Sequence, residues 1–144
     1  MAATTRRDMQ CAPSDVWEVL ADGWLYGLWV VGASRIRDVD TPWPAPESRI
    51  HHSVGTWPLL IDDTTSVISN DPGRSLKLRA RAWPGGEAEV LISIEPIGTA
   101  CRVSITEDAV AGPGRFVPGP IRSALLHQRN IESLRRLSYL AENR

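Results

Sequence analysis

The sequence has almost no charge imbalance, a single lysine, two cysteines and no long apolar run, and each scarcity excludes a class of protein. Its 144 residues include 16 basic and 17 acidic side chains, a formal net charge of −1. No excess of positive charge therefore attracts nucleic acid or an anionic membrane. All basic residues except Lys77 are arginines, which indicates a GC-rich genome more than a phosphate-binding role.

The sequence also shows neither the pattern of a secretory signal nor that of a membrane-spanning helix. Met1–Gln10 is polar and lacks the apolar core of a secretory signal. The longest apolar run, Trp24–Val31, is interrupted by Gly27 and is too short to cross a bilayer. We therefore expect a cytoplasmic protein with no stable membrane insertion.

Motifs for metals, phosphates and nucleophiles are absent as well. Cys11 and Cys101 lack metal-ligand spacing, and a reducing cytoplasm would keep both as thiols. His51 and His52 alternate to opposite faces of a predicted strand and make a poor metal site. No glycine-rich phosphate loop, His-x-x-x-His pair, Cys-x-x-Cys pair or GxSxG elbow occurs. The sequence thus predicts no metal and no cofactor.

The strongest positive signal is a long amphipathic helix over Gly119–Arg144. Pro120 suits the first helical turn because its missing N–H would be unpaired there anyway. An apolar stripe recurs with helical spacing through Ile121, Ala124, Ile131, Leu134, Leu137 and Ala141. His127 falls within this predicted stripe rather than on the wet face.

The beginning of the chain predicts a strand followed by two short helices. Thr4–Cys11 has the character of a first strand, and Pro13–Leu20 has that of a helix. Asp15 and Glu18 could form a capping box, while Pro13 or Ser14 could equally mark the helix start. Trp24–Trp29 predicts a second short helix or a turn.

The middle of the chain predicts a series of strands joined by short turns. The predicted strands are Ala33–Val39, Ser48–Thr56, Leu59–Ile61 with Thr64–Ser69, Ser75–Trp83, Glu87–Glu95 and Ala100–Val110. The proline-rich segment Thr41–Glu47 and the segment Ala111–Gly119 are predicted loops, and Asp62-Asp63 a solvated bend. Short connections favour antiparallel pairing, and each strand has one apolar and one polar face.

One long helix is available to cover the apolar face of this sheet. The predicted class is therefore α+β: residues 1–144 form one domain, a curved antiparallel sheet of about seven strands wrapped round the C-terminal helix. Such a sheet and helix cannot close tightly everywhere, so we expect a pocket between them.

Several stretches carry a resemblance to a known family. They are Ala12–Leu20, Trp29 with Gly32, Gly55–Pro58, Thr106–Asp108 and Arg129–Leu137. With the element order, they resemble the helix-grip fold of the START/Bet v 1-like (SRPBCC) superfamily, and more narrowly its bacterial polyketide cyclase/dehydrase-type members. The resemblance implies the fold across nearly the whole chain and brings no family-wide catalytic motif. In this fold the first and last strands pair, which would place Cys11 near Cys101.

Three polar side chains are predicted to point at the pocket: His52, Glu107 and His127. A carboxylate and two imidazoles in an apolar pocket would suit proton transfer. The structural alternative is that Glu107 accepts hydrogen bonds from the Ala111–Gly119 loop and that His127 bonds across to the sheet. His52 could also lie at the mouth or, after a one-residue slip in register, outside.

The predicted ligand contacts come from the helix, the inward strand faces and the tryptophans. They are His127, Gln128, Ala124, Ile131, Trp29, Trp57, Ile50, Val54, Leu78, Ala80, Ile92 and Ile105. Trp24 could also line the entrance, where a flat ring with one polar atom suits an aromatic ligand. The Ala111–Gly119 segment is the expected gate.

Three hypotheses for function follow. The first is binding of a small, mostly apolar molecule of lipid, polyketide or aromatic type. The second is a polyketide or aromatic cyclase or dehydratase that uses Glu107 and the histidines as acid and base. The third is a protein-interaction or regulatory module, with a homodimer as one form of it. No nucleic-acid partner is expected.

Overall fold

A computed structural model describes residues 3–143 apart from 55–60 and 83–85. The strands are β1 Ala3–Met9, β2 Ala33–Val39, β3 Arg49–Val54, β4 Ile61–Asp71, β5 Ser75–Ala82, β6 Gly86–Ile97 and β7 Ala100–Ala111. The helices are α1 Pro13–Ala21, α2 Tyr26–Trp29 and α3 Gly119–Glu142, with 3-10 turns at Gly23–Leu25 and Pro113–Phe116. None of these helices has the length and apolar character needed to span a membrane.

The seven described strands form one antiparallel sheet in the order β1-β7-β6-β5-β4-β3-β2. Helix α3 packs on one face of this sheet and contacts β1, α1 and α2. The predicted α+β helix-grip fold is confirmed.

Side-chain size changes along the strands, and this change divides the inner face into two regions. At one end, large apolar side chains are buried on β5, β6 and β7: Leu76, Leu78, Ile92, Ile94, Val103 and Ile105. Towards the other end, the same inward faces carry alanines, with Ala80 opposite Ala88 and Ala88 opposite Ala109. The first region is a filled core, and the second leaves space beneath α3.

Helix α1 begins with one of the predicted alternatives. Ala12 is the N-cap and Pro13 the first helical residue, while the Asp15 carboxylate accepts a hydrogen bond from the Ala12 backbone N–H at 3.0 Å. Asp15 thus satisfies a backbone donor that has no partner within the helix.

Two strand boundaries differ from the prediction. Strand β4 runs unbroken through Asp62 and Asp63, because Asp62 accepts a hydrogen bond from Ser53 Oγ at 2.7 Å and Asp63 lies 3.5 Å from Arg81. These cross-strand partners let two carboxylates occupy a strand, so the predicted bend is wrong. Strand β1 ends at Met9, whose register partner is Cys101.

The two cysteines are close together, as predicted from the pairing of the first and last strands. Both are free, and Cys101 is fully buried. Burial, reinforced by the neighbouring Cys101 thiol, raises the pKa of Cys11 to about 12. Neither thiol is therefore ionised near neutral pH.

The inward face of α3 also differs from the predicted stripe. Leu134, Leu137 and Ala141 are buried, as predicted. Ile121 and Ile131 are instead about half exposed, and the remaining buried positions are polar: Asn130, Ser133 and Ser138. Ser133 Oγ accepts a hydrogen bond from the Val31 backbone N–H at 3.1 Å, and the Asn130 side-chain amide donates one to Glu107 at 3.5 Å, so these two side chains have partners beneath the helix. A stripe defined by apolar residues alone could not identify this face.

Candidate functional site

A cavity of about 450 Å³ lies between the alanine-rich part of the sheet and the first half of α3. Ala80, Ala88, Ala109 and Ala111 line its sheet side, and most of its lining is apolar. On the helix side, Leu125 lines the cavity and is 64% exposed, which shows that the cavity reaches the surface there. The space exists because short side chains leave the sheet and helix unfilled.

His52 lies at the floor of this cavity, as predicted from the alternation of β3. It is 2% exposed, and its Nε2 lies 2.7 Å from Thr65 Oγ1 on the neighbouring strand. Its ring is nearly parallel to that of Tyr26, with centroids 6.0 Å apart, and Tyr26 Oη lies 3.3 Å from the same Thr65 oxygen. Burial, partly offset by the charge of Asp63, lowers the pKa of His52, so its imidazole is neutral at pH 7.

Glu107 also lines the cavity, but its partners are not those expected. Its carboxylate accepts hydrogen bonds from Arg129 Nη2 and, at 3.5 Å, from the Asn130 side-chain amide. Both partners belong to α3, whereas the sequence favoured amides of the Ala111–Gly119 loop. Glu107 is 5% exposed and the Arg129 side chain 37% exposed, so the ion pair spans from the buried wall to the cavity.

His127 does not line the cavity, contrary to prediction. Leu126 and Arg129 face the cavity, and His127 lies about 100° round the helix from Leu126. Its Nδ1 is 2.9 Å from Thr5 Oγ1 on β1. The side chain is exposed on that flank, and the alternative contact with the sheet is the one observed.

Most other predicted ligand contacts lie outside the cavity lining. Gln128, Ala124 and Ile131 are exposed because the inward face of α3 is rotated from the predicted stripe. Larger side chains nearer the filled end of the sheet are instead buried in the core: Ile50, Leu78, Ile92 and Ile105. Ala80 lines the cavity as predicted, the side chain of Val54 is not described, and Trp57 falls outside the described residues.

The tryptophans of the N-terminal helices serve the core and the outer surface. Trp29 is 4% exposed and packs edge-on against Tyr26 at 5.6 Å. Trp24 is 56% exposed and borders a separate, more polar groove beside α1, together with Trp17 and Trp43. The predicted placement of Trp24 and Trp29 at the cavity entrance is therefore wrong.

Six polar cavity residues among those described escaped the sequence analysis: Tyr26, Thr65, Arg81, Glu87, Arg122 and Arg129. Tyr26 lies in an apolar run, Thr65 in a predicted strand with no marked alternation, and Arg129 beside the predicted stripe. The sequence groups Arg129 with Arg135 and Arg136 as salt-bridging residues of the last helix; in the structure the latter two pair with Glu132, whereas Arg129 pairs with Glu107. A cavity residue can be told from a surface residue here only once it is known which side of α3 faces the sheet, and the sequence does not show this.

The arrangement combines a mostly apolar chamber with two hydrogen-bonded polar groups in its wall, besides Arg81, Glu87 and Arg122, which also line it. One is the neutral set of Tyr26, Thr65 and His52, and the other is the ion pair of Glu107 and Arg129. Apolar walls favour the burial of hydrocarbon surface, while a few placed polar groups orient a ligand. Within the described part of the chain, no cluster of three or more His, Cys, Asp or Glu residues could hold a metal ion.

Comparison with known proteins identifies one family and several related folds. The family described as "Polyketide cyclase / dehydrase and lipid transport" matches residues 1–142. No curated protein sequence matches the chain significantly.

Solved structures share the fold at low sequence identity. The Zhui aromatase/cyclase from Streptomyces sp. R1128 is 16% identical, with 100% of this chain and 94% of that chain covered and a TM-score of 0.78. A START superfamily protein from Mycobacterium smegmatis is 14% identical, with 99% and 97% covered and a TM-score of 0.77. Ara h 8.0201 is 7% identical, with 100% and 99% covered and a TM-score of 0.76. At these identities the likeness concerns the fold alone.

Proposed function

The chain belongs to the polyketide cyclase/dehydrase and lipid transport family, and from that premise we propose that it binds a small, mostly apolar molecule of aromatic, polyketide or lipid type in the cavity under α3. The observation that carries the proposal is the run of alanines on β5, β6 and β7 where the same faces elsewhere carry leucine, isoleucine and valine. Empty space costs stability because the atoms around it lose packing partners. Because the cavity costs stability, its presence supports a role in which a ligand occupies it.

The proposed route into the cavity is the segment 112–118 before α3. Gly114 and Val117 of this segment line the cavity, and Phe116 beside them is 79% exposed. The segment is held by two backbone hydrogen bonds within itself, from Arg115 to Gly112 and from Val117 to Gly114, and by Arg122 of α3, whose Nη1 donates to the Arg115 carbonyl oxygen at 3.1 Å. It can therefore move without breaking the sheet ladder.

The proposal predicts that an apolar probe binds in the cavity and that filling the cavity prevents this. Native mass spectrometry of freshly purified protein should reveal a co-purified small molecule. Calorimetric titration with 2-methylnaphthalene should then show binding to the wild type, and Ala88→Phe should weaken it at least tenfold because the new ring occupies the chamber.

Ala124→Phe is the matched control, because Ala124 is exposed on the outer side of α3. It should bind 2-methylnaphthalene like the wild type. Equal binding by the wild type and Ala88→Phe, or no binding of any apolar probe by the wild type, would contradict the proposal.

A second candidate is a cyclase or dehydratase, favoured by the presence of both His52 and Glu107 in the cavity wall. The neutral imidazole would serve as the base, while the carboxylate is engaged with Arg129 and would orient the guanidinium towards a substrate oxygen. Turnover of an aromatic polyketide intermediate should be lost in His52→Asn and retained in His51→Asn, since His51 bonds Asp40 at 3.0 Å instead of facing the cavity. Full activity of His52→Asn would exclude this mechanism.

A further inference from the structure

A second recess lies on the outer surface, between the end of α1 and the segment that follows β2; we call it the α1 groove. Its volume is about 580 Å³, and it shares no lining residue with the cavity under α3. Three tryptophans and three carboxylates line it: Trp17, Trp24, Trp43, Glu18, Asp22 and Asp40. No arginine, lysine or histidine is among the described residues of its lining.

The tryptophans give the groove aromatic walls that the fold holds in place. Trp43 is 8% exposed, and its indole N–H donates a hydrogen bond to the Leu20 carbonyl oxygen at 3.2 Å. Gly23 lies close to this ring, because a Cβ added there would be 3.2 Å from Trp43 Cδ1. Trp17 is partly buried against the core. Trp24 is 56% exposed, so its indole surface is available to a ligand.

Two of the carboxylates are fixed beside these rings by hydrogen bonds from backbone N–H groups. Asp22 accepts one from Trp24 at 3.1 Å, which ties the carboxylate to the backbone of an exposed tryptophan. Asp40 accepts one from Arg49 at 2.9 Å, and its other oxygen lies 3.0 Å from His51 Nε2. The bond to His51 lowers the pKa of Asp40, so this carboxylate is ionised at neutral pH.

The end of α1 carries charge of the sign that its own peptide dipoles disfavour. The last carbonyls of a helix form the negative end of its dipole, where basic side chains are favourable. The last turn of α1 has no basic residue, whereas Glu18 lies in that turn and Asp22 is the C-cap. Among the described residues no basic side chain pairs with Asp22, so a cation from outside would relieve this unfavourable combination.

Aromatic rings and carboxylates together select an organic cation. An ammonium group is attracted both to the face of an indole ring and to a carboxylate, whereas an anion is repelled by the carboxylates. Apolar substituents on the ammonium would also pack against Ala21 and Val39, which line the groove. A metal ion fits less well, since the described residues form no cluster of three or more His, Cys, Asp or Glu that could hold one.

We propose that the α1 groove is a second binding site, and that its ligand is a small organic cation, an ammonium group with apolar substituents. The ammonium lies beside Asp22, and its substituents pack against Trp17 and Trp24. This site is independent of the cavity under α3 and of the function proposed for that cavity.

The test compares choline with 3,3-dimethyl-1-butanol, a neutral molecule of the same shape in which carbon replaces the charged nitrogen. The indole N–H signals of ¹⁵N-labelled protein are followed by NMR during each titration and give a dissociation constant for each probe. Choline should shift the signals of Trp17 and Trp24 saturably and bind about fivefold more tightly than the alcohol. The signal of Trp29, which is buried beside Tyr26, should not move.

Two variants test the aromatic ring and the charge separately. Trp24→Leu keeps an apolar side chain but removes the aromatic face. Asp22→Asn keeps an oxygen that can accept the Trp24 N–H but removes the charge. Each should lower the preference for choline over the alcohol about threefold, the size of one exposed cation–π contact or ion pair. Asp8→Asn is the matched control, because Asp8 on β1 does not line the groove, and it should keep the wild-type preference.

Equal affinity of the wild type for the two probes overturns the inference, and so does an unchanged preference in Trp24→Leu or in Asp22→Asn. Addition of 2-methylnaphthalene, the probe for the cavity under α3, should leave choline binding as it is. Displacement of choline would place it in that cavity and would also overturn the inference. None of these outcomes decides the proposed function, whose own test is the binding of 2-methylnaphthalene.

Discussion

At the scale of single residues, the pair of Glu107 and Arg129 links the last strand to the long helix across the edge of the cavity. Glu107 is buried among apolar neighbours on β7, where an unpaired carboxylate would be strongly disfavoured. Arg129 and Asn130 supply its hydrogen bonds from consecutive positions of α3. The pair therefore fixes the rotation of the helix as well as the charge of the cavity wall.

Replacing Glu107 with glutamine should lower the free energy of unfolding by about 1–3 kcal/mol. The substitution keeps the shape but removes the countercharge of Arg129, whose partial exposure limits the penalty. Urea denaturation monitored by circular dichroism measures the loss. Asp8→Asn is the control, since Asp8 meets Arg102 at 2.7 Å on the exposed surface and should lose much less. Equal losses in the two variants would show that burial of Glu107 adds nothing.

The sequence was informative about site residues only where the strand alternation is regular. His52 and Glu107 follow inward apolar neighbours at even spacing, so their direction could be predicted. Arg129 could not, because a cation beside an apolar stripe is usually solvated and only a buried carboxylate opposite turns it into a wall residue. Thr65 escaped because its role depends on Tyr26 and His52, which are distant in sequence.

At the scale of elements, the start of β6 shows how closely the sheet approaches the segment before α3. Gly86 has φ of 131°, and a Cβ built there would clash with the carbonyl oxygen of Ala111 at the end of β7. A register shift between Glu87 and Ala88 follows at once. The absence of a side chain at Gly86 lets β6 and β7 close the alanine-lined end of the cavity.

Gly86→Ala should therefore destabilise the protein by about 2–4 kcal/mol, because the added methyl group meets backbone that cannot move aside and the dihedral angle is unfavourable. Thermal unfolding followed by calorimetry measures the effect. Gly98→Ala separates the two causes, since Gly98 also has positive φ, 60°, but its Cβ would meet nothing within 4 Å. It should cost only about 1 kcal/mol. A loss as small in Gly86→Ala would contradict the steric argument.

The order and type of the elements could be predicted from periodicity and turn residues, whereas the rotation of α3 could not. The predicted burial of Leu134, Leu137 and Ala141 is confirmed, because the C-terminal half of the helix covers a filled core. The first half covers a cavity and polar partners, so hydrophobicity no longer indicates which side faces inward. The predicted bend at Asp62 and Asp63 is wrong for a similar reason, since two adjacent carboxylates indicate a bend unless the flanking strands supply partners, here Ser53 from β3 and Arg81 from β5.

At the scale of the whole molecule, one sheet serves two opposed requirements. Its filled end, centred on Leu76, Ile92 and Val103, supplies the apolar burial that stabilises the fold. Its alanine-lined end gives up part of that burial to leave the cavity. A ligand present at a hundred times its dissociation constant would return about 2.7 kcal/mol through mass action. Stability and occupancy of this protein are thereby linked.

The strand order also has a consequence during synthesis of the chain on the ribosome. Strand β1 is made before the other described strands, yet it pairs with β7, so that Ala3 lies opposite Glu107. At a synthesis rate of about 5–20 residues per second, the partner of β1 emerges roughly 5–20 s later. Throughout that interval β1 exposes unpaired backbone groups and the apolar side chain of Met9, features that invite association with other chains. We therefore expect β1 to be prone to association with other chains until β7 has left the ribosome.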